Sequence, residues 1–187
     1  VMFEEGIYKL WYGADSMGGC ACYSTSDDGV NWYRYSGNPV LMKTSGSWDK
    51  SGAGGQHTII KDGDMYYMYY KGYSDKEPGW TFYGMAESKD GIEWEKLGKV
   101  IAPDMEMGET STFRNLYAFK IDRYFCIMHT MVEYLNLSLL TSLDGRNWDK
   151  HGMVFIHGQT PGGYDVKWTT SPCILVDGDI VKMWYEG

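Results

Sequence analysis

The sequence has no apolar run near the roughly 18 residues a membrane helix needs, and nothing at its start has the basic-then-apolar pattern of a secretion signal. A soluble chain with no membrane partner is the expectation. Positive charge is short: 17 Lys and Arg face 25 Asp and Glu, a net charge of −8 over 187 residues, which argues against nucleic acid as a partner. Proline is scarce, at five residues, and no segment longer than a few residues repeats its apolar positions at helical spacing. Cysteine is present without a usable pattern. Cys20 and Cys22 are one residue apart, so on a strand they share a face and each would need its own distant partner, while Cys126 and Cys173 sit in apolar strand patterns as small core residues do. Free, buried thiols are expected, and with them a cytoplasmic setting. Neither a zinc pair at the usual spacing nor more than one bare sequon, Asn136-Leu137-Ser138, stands out.

What the chain does have is aromatic residues and turns. Sixteen Tyr and eight Trp against six Phe favour strands, and 24 Gly supply frequent turns. With 43% hydrophobic residues, a globule of this size buries roughly 70% of its unfolded surface without help from metals or disulfides. The composition reads as all-β.

A motif S-x-D-G-x-x-W occurs three times, at Ser26–Trp32, Ser88–Trp94 and Ser142–Trp148, with its glycines 62 and 54 residues apart. A second motif keeps the same beat: Leu10-Trp11-Tyr12, Met68-Tyr69-Tyr70, Ile127-Met128-His129 and Met183-Trp184-Tyr185 are spaced by 58, 59 and 56 residues. Two independent motifs with one period define repeats, roughly 1–55, 56–113, 114–170 and a partial 171–187. Each repeat reads as four strands: a short apolar run (58–61, 117–120, 173–176), the aromatic run (7–12, 65–70, 124–129, 180–185), a strand leading into the S-x-D-G-x-x-W turn (20–25, 81–87, 136–141), and a closing strand at Val40-Leu41, Val100-Ile101 and Val154-Phe155. Four antiparallel strands repeated around a centre are β-propeller blades. The register gives about three and a half blades in a single propeller domain over 1–187. Such a set leaves unpaired edges at both ends, so two expectations follow: a piece of a longer protein whose missing blades complete the ring, favoured by the lack of an initiator Met, or a homodimer in which two chains complete each other.

Antiparallel alternation sorts the two ends of each blade. The starts of first strands, the ends of second strands and the long loops 42–55, 102–113 and 157–170 share one face, and the S-x-D-G-x-x-W turns lie on the other. Asp28, Asp90 and Asp144 are therefore expected to hold turns. The long loops carry Trp48, Asp49, Glu106, Glu109, Tyr164, Asp165 and Trp168. First-strand starts add Gln56, His57, Arg114 and Asn115, and second-strand ends add Asp15, Lys71, His129 and Glu186. Acids, an arginine, histidines and exposed aromatics around one axis suit a sugar site, since aromatic faces stack on pyranose rings while carboxylates bind or protonate oxygens.

Stretches such as Asp62–Tyr70 and Gly178–Tyr185, paired with the S-x-D-G-x-x-W turns or a blade edge, resemble the five-bladed propellers of glycoside hydrolase families 43 and 32, the arabinanase, xylosidase and invertase types. The resemblance implies a five-bladed propeller acting on an oligo- or polysaccharide by carboxylate acid/base chemistry, with three carboxylates at first-strand starts. Phe113-Arg114-Asn115-Leu116 is similar to the Phe-Arg-Asp-Pro stretch of invertases, with Asn115 where an Asp is expected, and neither Gln56-His57 nor Ser171-Pro172 supplies an acid. The loop acids Asp49, Glu109 and Asp165, six to nine residues upstream, are the substitutes as catalytic candidates. His57, Arg114, Asn115, Trp48, Trp168 and Glu186 are the substrate-binding candidates. No cofactor and no metal ligand set is expected, although a structural calcium ion is compatible with the family. The alternative reading is a carbohydrate-binding propeller that has lost its acids.

Overall fold

The computed structural model describes residues 1–15, 19–73, 81–104, 113–131, 134–159 and 161–187, and of Phe113 its backbone. Among them every regular element is a strand. The first blade comprises β1 (Met2–Glu4), β2 (Ile7–Ala14), β3 (Cys20–Ser26), β4 (Tyr33–Arg34) and β5 (Leu41–Met42), in the order β1-β2-β3 with both β4 and β5 on β3. The second is β6 (Gly52–Asp62), β7 (Met65–Tyr73), β8 (Thr81–Ser88) and β9 (Glu95–Ile101), and the third β10 (Phe113–Ile121), β11 (Tyr124–Met131), β12 (Asn136–Ser142) and β13 (Asp149–Phe155). A half-blade of β14 (Thr170–Asp177) and β15 (Ile180–Glu186) follows. All pairings are antiparallel. First strands neighbour one another, β6 against β10 and β10 against β14.

The fold is the all-β propeller read from the repeats, with two differences of extent. First strands begin several residues earlier than their apolar runs, at Gly52, Phe113 and Thr170, because the added residues bulge toward the blade mouth while still pairing. The outer strand of the first blade is two short pieces, where Asn38 breaks the ladder and bonds Tyr23 instead, its Oδ1 accepting from the Tyr23 N–H at 2.7 Å.

Strand alternation gives each blade two apolar faces, and each seam between blades is filled from both sides. Trp11 and Tyr23 meet Tyr66, Met68 and Tyr70 in the first seam, Ile60, Tyr69 and Tyr83 meet Leu116, Phe125 and Ile127 in the second, and Phe119 and Cys126 meet Ile174 in the third. Three thiols are buried, and none of the four is in a disulfide. Cys173 departs from expectation: it is exposed, on the face of β14 opposite the one that turns Ile174 into the third seam.

The S-x-D-G-x-x-W turns are built alike. In the second blade Ser88 Oγ accepts the Gly91 N–H at 2.8 Å and donates to Asp90 Oδ1 at 2.9 Å, which also accepts the N–H groups of Ile92 and Glu93 at 2.8 and 2.9 Å. Ser26–Asp28 and Ser142–Asp144 repeat the arrangement. The backbone N–H groups of Asn31 and Val30 hold the Asp28 carboxyl well below its usual range, and those of Asn147 and Arg146 do the same for Asp144. These turns also stitch blades together. Trp11 Nε1 donates to the Gly91 carbonyl at 2.6 Å and Tyr69 Oη to that of Gly145 at 3.1 Å, so the middle aromatic of one blade caps the turn of the next. A Cβ at Gly91, where φ is +78°, would lie 2.5 Å from the Trp11 ring. A second clamp joins β1 to the second blade: Glu4 accepts from Lys61 at 2.8 Å, Lys9 at 3.0 Å and the Tyr66 hydroxyl. Burial raises the Glu4 pKa, but those donors outweigh it and bring it down to about 2.

Candidate functional site

The mouth of the propeller is where first strands start and second strands end, and in successive blades it is built by equivalent irregularities. The pairing of β10 with β11 shifts between Arg114 and Tyr117, and that of β14 with β15 between Thr170 and Cys173. At the same register within these bulges stand Asn115 and Ser171, with φ of +51° and +54°. Asparagine tolerates that conformation, whereas for serine it costs on the order of 1 kcal/mol. The two side chains meet. Asn115 Nδ2 donates to Ser171 Oγ at 3.1 Å, and the Ser171 hydroxyl donates to Glu186 Oε2 at 3.2 Å, with the Thr170 hydroxyl a second donor at 3.4 Å. A carboxylate from the end of β15 is thus oriented by two hydroxyls and, through one of them, by an amide from the preceding blade.

Positive charge lies on the same face. Lys71, at the end of β7, is half-buried, and burial together with the Arg114 guanidinium holds its ammonium below its usual pKa. Among the described residues no carboxylate forms an ion pair with it. Lys71 also borders a cleft of about 320 Å³ between the first and second blades, where Asp15, Gln56 and Tyr73 are the other polar side chains. The cleft wall is glycine because the backbones touch: a Cβ on Gly13 would fall 2.0 Å from the Gly55 carbonyl oxygen.

Asn115 and Glu186 of the sequence candidates are therefore joined at the mouth, and Arg114 precedes Asn115 on β10. Others do not join them. Asp49 is fully buried and ion-paired with Lys96 Nζ at 2.5 Å, with the Thr44 N–H on its other oxygen at 3.3 Å, so its carboxylate fastens the long loop to the outer strand of the second blade. Trp48 is packed rather than displayed, its ring 5.8 Å from Tyr70 and edge-on to Phe82 at 6.2 Å in the room left by Gly72 and Gly84. His57 turns inward: Nδ1 donates to the Gly54 carbonyl at 2.7 Å, and burial pushes its pKa down. Asp165 is buried under Tyr185, whose hydroxyl donates to it at 3.2 Å. Trp168 and Tyr164 are exposed on the same loop, Tyr164 completely. Glu109 and Glu106 lie outside the described residues.

Sequence reasoning placed Ser171 at a first-strand start but gave it no part in binding, and it left Thr170 out. The available signal was positional: Ser171 occupies the repeat position of Asn115, two residues before Cys173 as Asn115 is two before Tyr117. A larger, shallow cleft of about 720 Å³ lies at the opposite end by Asp90, Glu93 and Trp94, where the Asp90 carboxylate is already committed to its turn. No group of three or more His, Cys, Asp or Glu suited to a metal ion occurs among the described residues.

The fold is that of the β-propeller glycoside hydrolases. A glycoside hydrolase of the GH130 mannoside phosphorylase family, which targets β-1,2 mannosidic linkages in Candida mannan, superposes with a TM-score of 0.72 at 18% identity, covering 99% of this chain and 58% of that one. The Bombyx mori GH32 β-fructofuranosidase superposes with 0.68 at 15% identity, over 97% and 40%. By sequence the chain is similar to the 1,2-β-oligomannan phosphorylase of Thermoanaerobacter sp. (strain X514), 27% identical over 159 residues, 80% of this chain and 50% of that protein. It is also 32% identical over 107 residues to an uncharacterized Mycobacterium tuberculosis protein, 53% of this chain and 33% of that one. The chain spans half or less of the length of these curated relatives. No family model matches it.

Proposed function

We propose that the mouth is the carbohydrate site of a propeller that cleaves glycosidic bonds, with Glu186 as its proton-donating carboxyl and Asn115, Ser171 and Arg114 as substrate contacts. The observation that carries this reading is the Asn115–Ser171–Glu186 chain, strung across two successive blades by backbone bulges in a conformation serine adopts at a cost. A second reading concerns the acceptor. Hydrolysis needs two carboxyl groups at the scissile bond, and the described mouth is poor in them, whereas Lys71 and Arg114 put two cations near each other on the same face. Phosphorolysis needs only the acid: a phosphate oxygen attacks the anomeric carbon while the acid protonates the departing glycosidic oxygen, and the cations bind the phosphate. The name of the oligomannan phosphorylase relative agrees with this.

The test is incubation with β-1,2-manno-oligosaccharides and with sucrose or fructans, each with and without inorganic phosphate, followed by product analysis. Release of sugar 1-phosphate supports phosphorolysis and release of free sugar alone supports hydrolysis. Either activity should fall at least about a hundredfold in Glu186→Gln. Calorimetric binding of a glycan with no turnover in either buffer would replace the enzyme with a carbohydrate-binding propeller, and turnover that survives Glu186→Gln would remove that residue from the role given to it.

A further inference from the structure

The first seam between blades opens at the mouth into the cleft of about 320 Å³ bordered by Asp15, Gln56, Lys71 and Tyr73. One wall is the end of β2 and the approach to β3, and the other is the start of β6 and the end of β7. The cleft is set by an internal seam, in which Trp11 and Tyr23 of the first blade pack with Met68 and Tyr70 of the second. Where the walls meet they are bare backbone. A Cβ on Gly13 would fall 2.0 Å from the Gly55 carbonyl oxygen, and one on Gly19 would fall 3.3 Å from the Gly55 Cα.

The polar groups around this cleft are of mixed kind. The Asp15 carboxylate offers only acceptors, the Lys71 ammonium only donors, and the Gln56 amide and Tyr73 hydroxyl both. Among the described residues, Asp15, Gln56 and Lys71 make no side-chain hydrogen bond and no ion pair. Opposite charges therefore share one cleft without neutralising each other. An anion seated in the cleft would meet Asp15 as a like charge, and an apolar ligand would strip water from the polar groups without replacing it. A sugar ring satisfies them all. Its hydroxyls donate to the carboxylate and accept from the ammonium, and its C–H face suits the ring of Tyr73, which is 38% exposed. Ligand pockets run from roughly 300 to 1,000 Å³, so this cleft suits one ring rather than a chain of them. It is also connected to the oriented acid: Arg114 is the charged neighbour of Lys71 and precedes Asn115, which reaches Glu186 through Ser171.

Resting on the reading of the mouth as a carbohydrate site, we propose that this cleft holds one neutral sugar unit away from the bond being broken, Asp15 and Lys71 hydrogen-bonding its hydroxyls and Tyr73 lying against its ring. The substrate class is then a glycan longer than a disaccharide, and Asp15, Gln56 and Tyr73 set that length preference. Lys71 borders both the cleft and Arg114, so the other three residues are the ones that address the cleft alone.

Calorimetric titration without phosphate should compare β-1,2-mannobiose with the corresponding tri- and tetrasaccharides, and sucrose with 1-kestose and nystose. In at least one series the longer glycans should bind at least about tenfold more tightly than the disaccharide. Tyr73→Ala and Asp15→Asn should erase most of that gain while leaving disaccharide affinity within about twofold. Gln56→Trp fills the cleft from an exposed position and should do the same, which keeps the test open if Tyr73→Ala lowers the melting temperature. A gain absent from both series, or one that survives all three substitutions in folded protein, would overturn the proposal; turnover still dependent on Glu186 would then leave the function proposed for the mouth standing. Equal losses for short and long glycans would overturn it too, placing these residues at the reacting unit. A length gain that Tyr73→Ala removes from a chain without Glu186-dependent turnover would keep the cleft and reject the catalytic reading.

Discussion

The two ends of each blade follow opposite rules. At the turn end three copies make the same hydrogen bonds, the serine hydroxyl accepting its glycine N–H at 2.8, 2.8 and 2.9 Å. At the mouth the equivalent positions are Gln56, Asn115 and Ser171, different in every blade. Repetition here marks what every blade needs in order to stand beside its neighbour, and divergence marks where a ligand would be met by several blades at once, each contributing a different group. Asp49 and Glu186 show the same division among acids. Both belong to the mouth side in chain order, yet one is sealed with a lysine and the other is exposed and held only by hydroxyls.

That contrast can be broken in four ways. The largest effect is expected from Asp49→Ala, which strands Lys96 beside a buried loop and should cost about 3 kcal/mol or more in denaturant unfolding. A loss of turnover with unchanged stability would instead make Asp49 a mouth residue. Acidification comes next. Burial pushes His129 down to about 4 from 6.5, so the unfolded chain binds a proton that the folded chain refuses. The associated stability is complete above pH 6.5 and is lost as pH falls toward 4, by about 3 kcal/mol. Glu4, brought down to about 2 from 4.5, extends the loss in the same direction between those values. Chemical denaturation at pH 7.5, 5 and 3.5 should show the decline, and in His129→Gln the upper part of it should flatten.

A smaller effect follows from Ser88→Ala, which leaves the Gly91 N–H without its acceptor and should cost about 1 to 2 kcal/mol while leaving glycan affinity per folded molecule unchanged. The smallest change in stability belongs to the mouth: Lys71→Met and Arg114→Ala should alter the unfolding free energy by no more than about 0.5 kcal/mol, yet weaken phosphate binding at least about tenfold by calorimetry. If the serine and lysine variants exchange these outcomes, the ends have been assigned the wrong way round.

Much of the fold was legible in the sequence because the residues that build it recur. Trp11 and Tyr69 keep step with the S-x-D-G-x-x-W turns, and the hydrogen bonds between the two motifs explain why their periods agree. The mouth was half legible. Strand direction alone put Arg114, Asn115, Lys71 and Glu186 on one face, but it could not tell a loop acid that turns inward from one that stays at the rim. Asp49 turns inward because Lys96, 47 residues later, waits for it on β9. Such a pairing has no period, and so leaves no mark in a repeat. Bulges were equally invisible: an extra residue in β10 and β14 shifts register without altering composition, and it is what brings Ser171 to Asn115.

The one-way stitching of aromatic to turn also sets how the molecule opens. Each blade is coupled to its neighbours and to no blade beyond them, so cooperativity decays along the row as it does in a linear array of repeats. The second blade lies between two seams and carries the fully buried Met68, Tyr69, Tyr70 and Tyr83. Amide exchange should accordingly be slowest in β7 and β8, whose opening requires both seams to part.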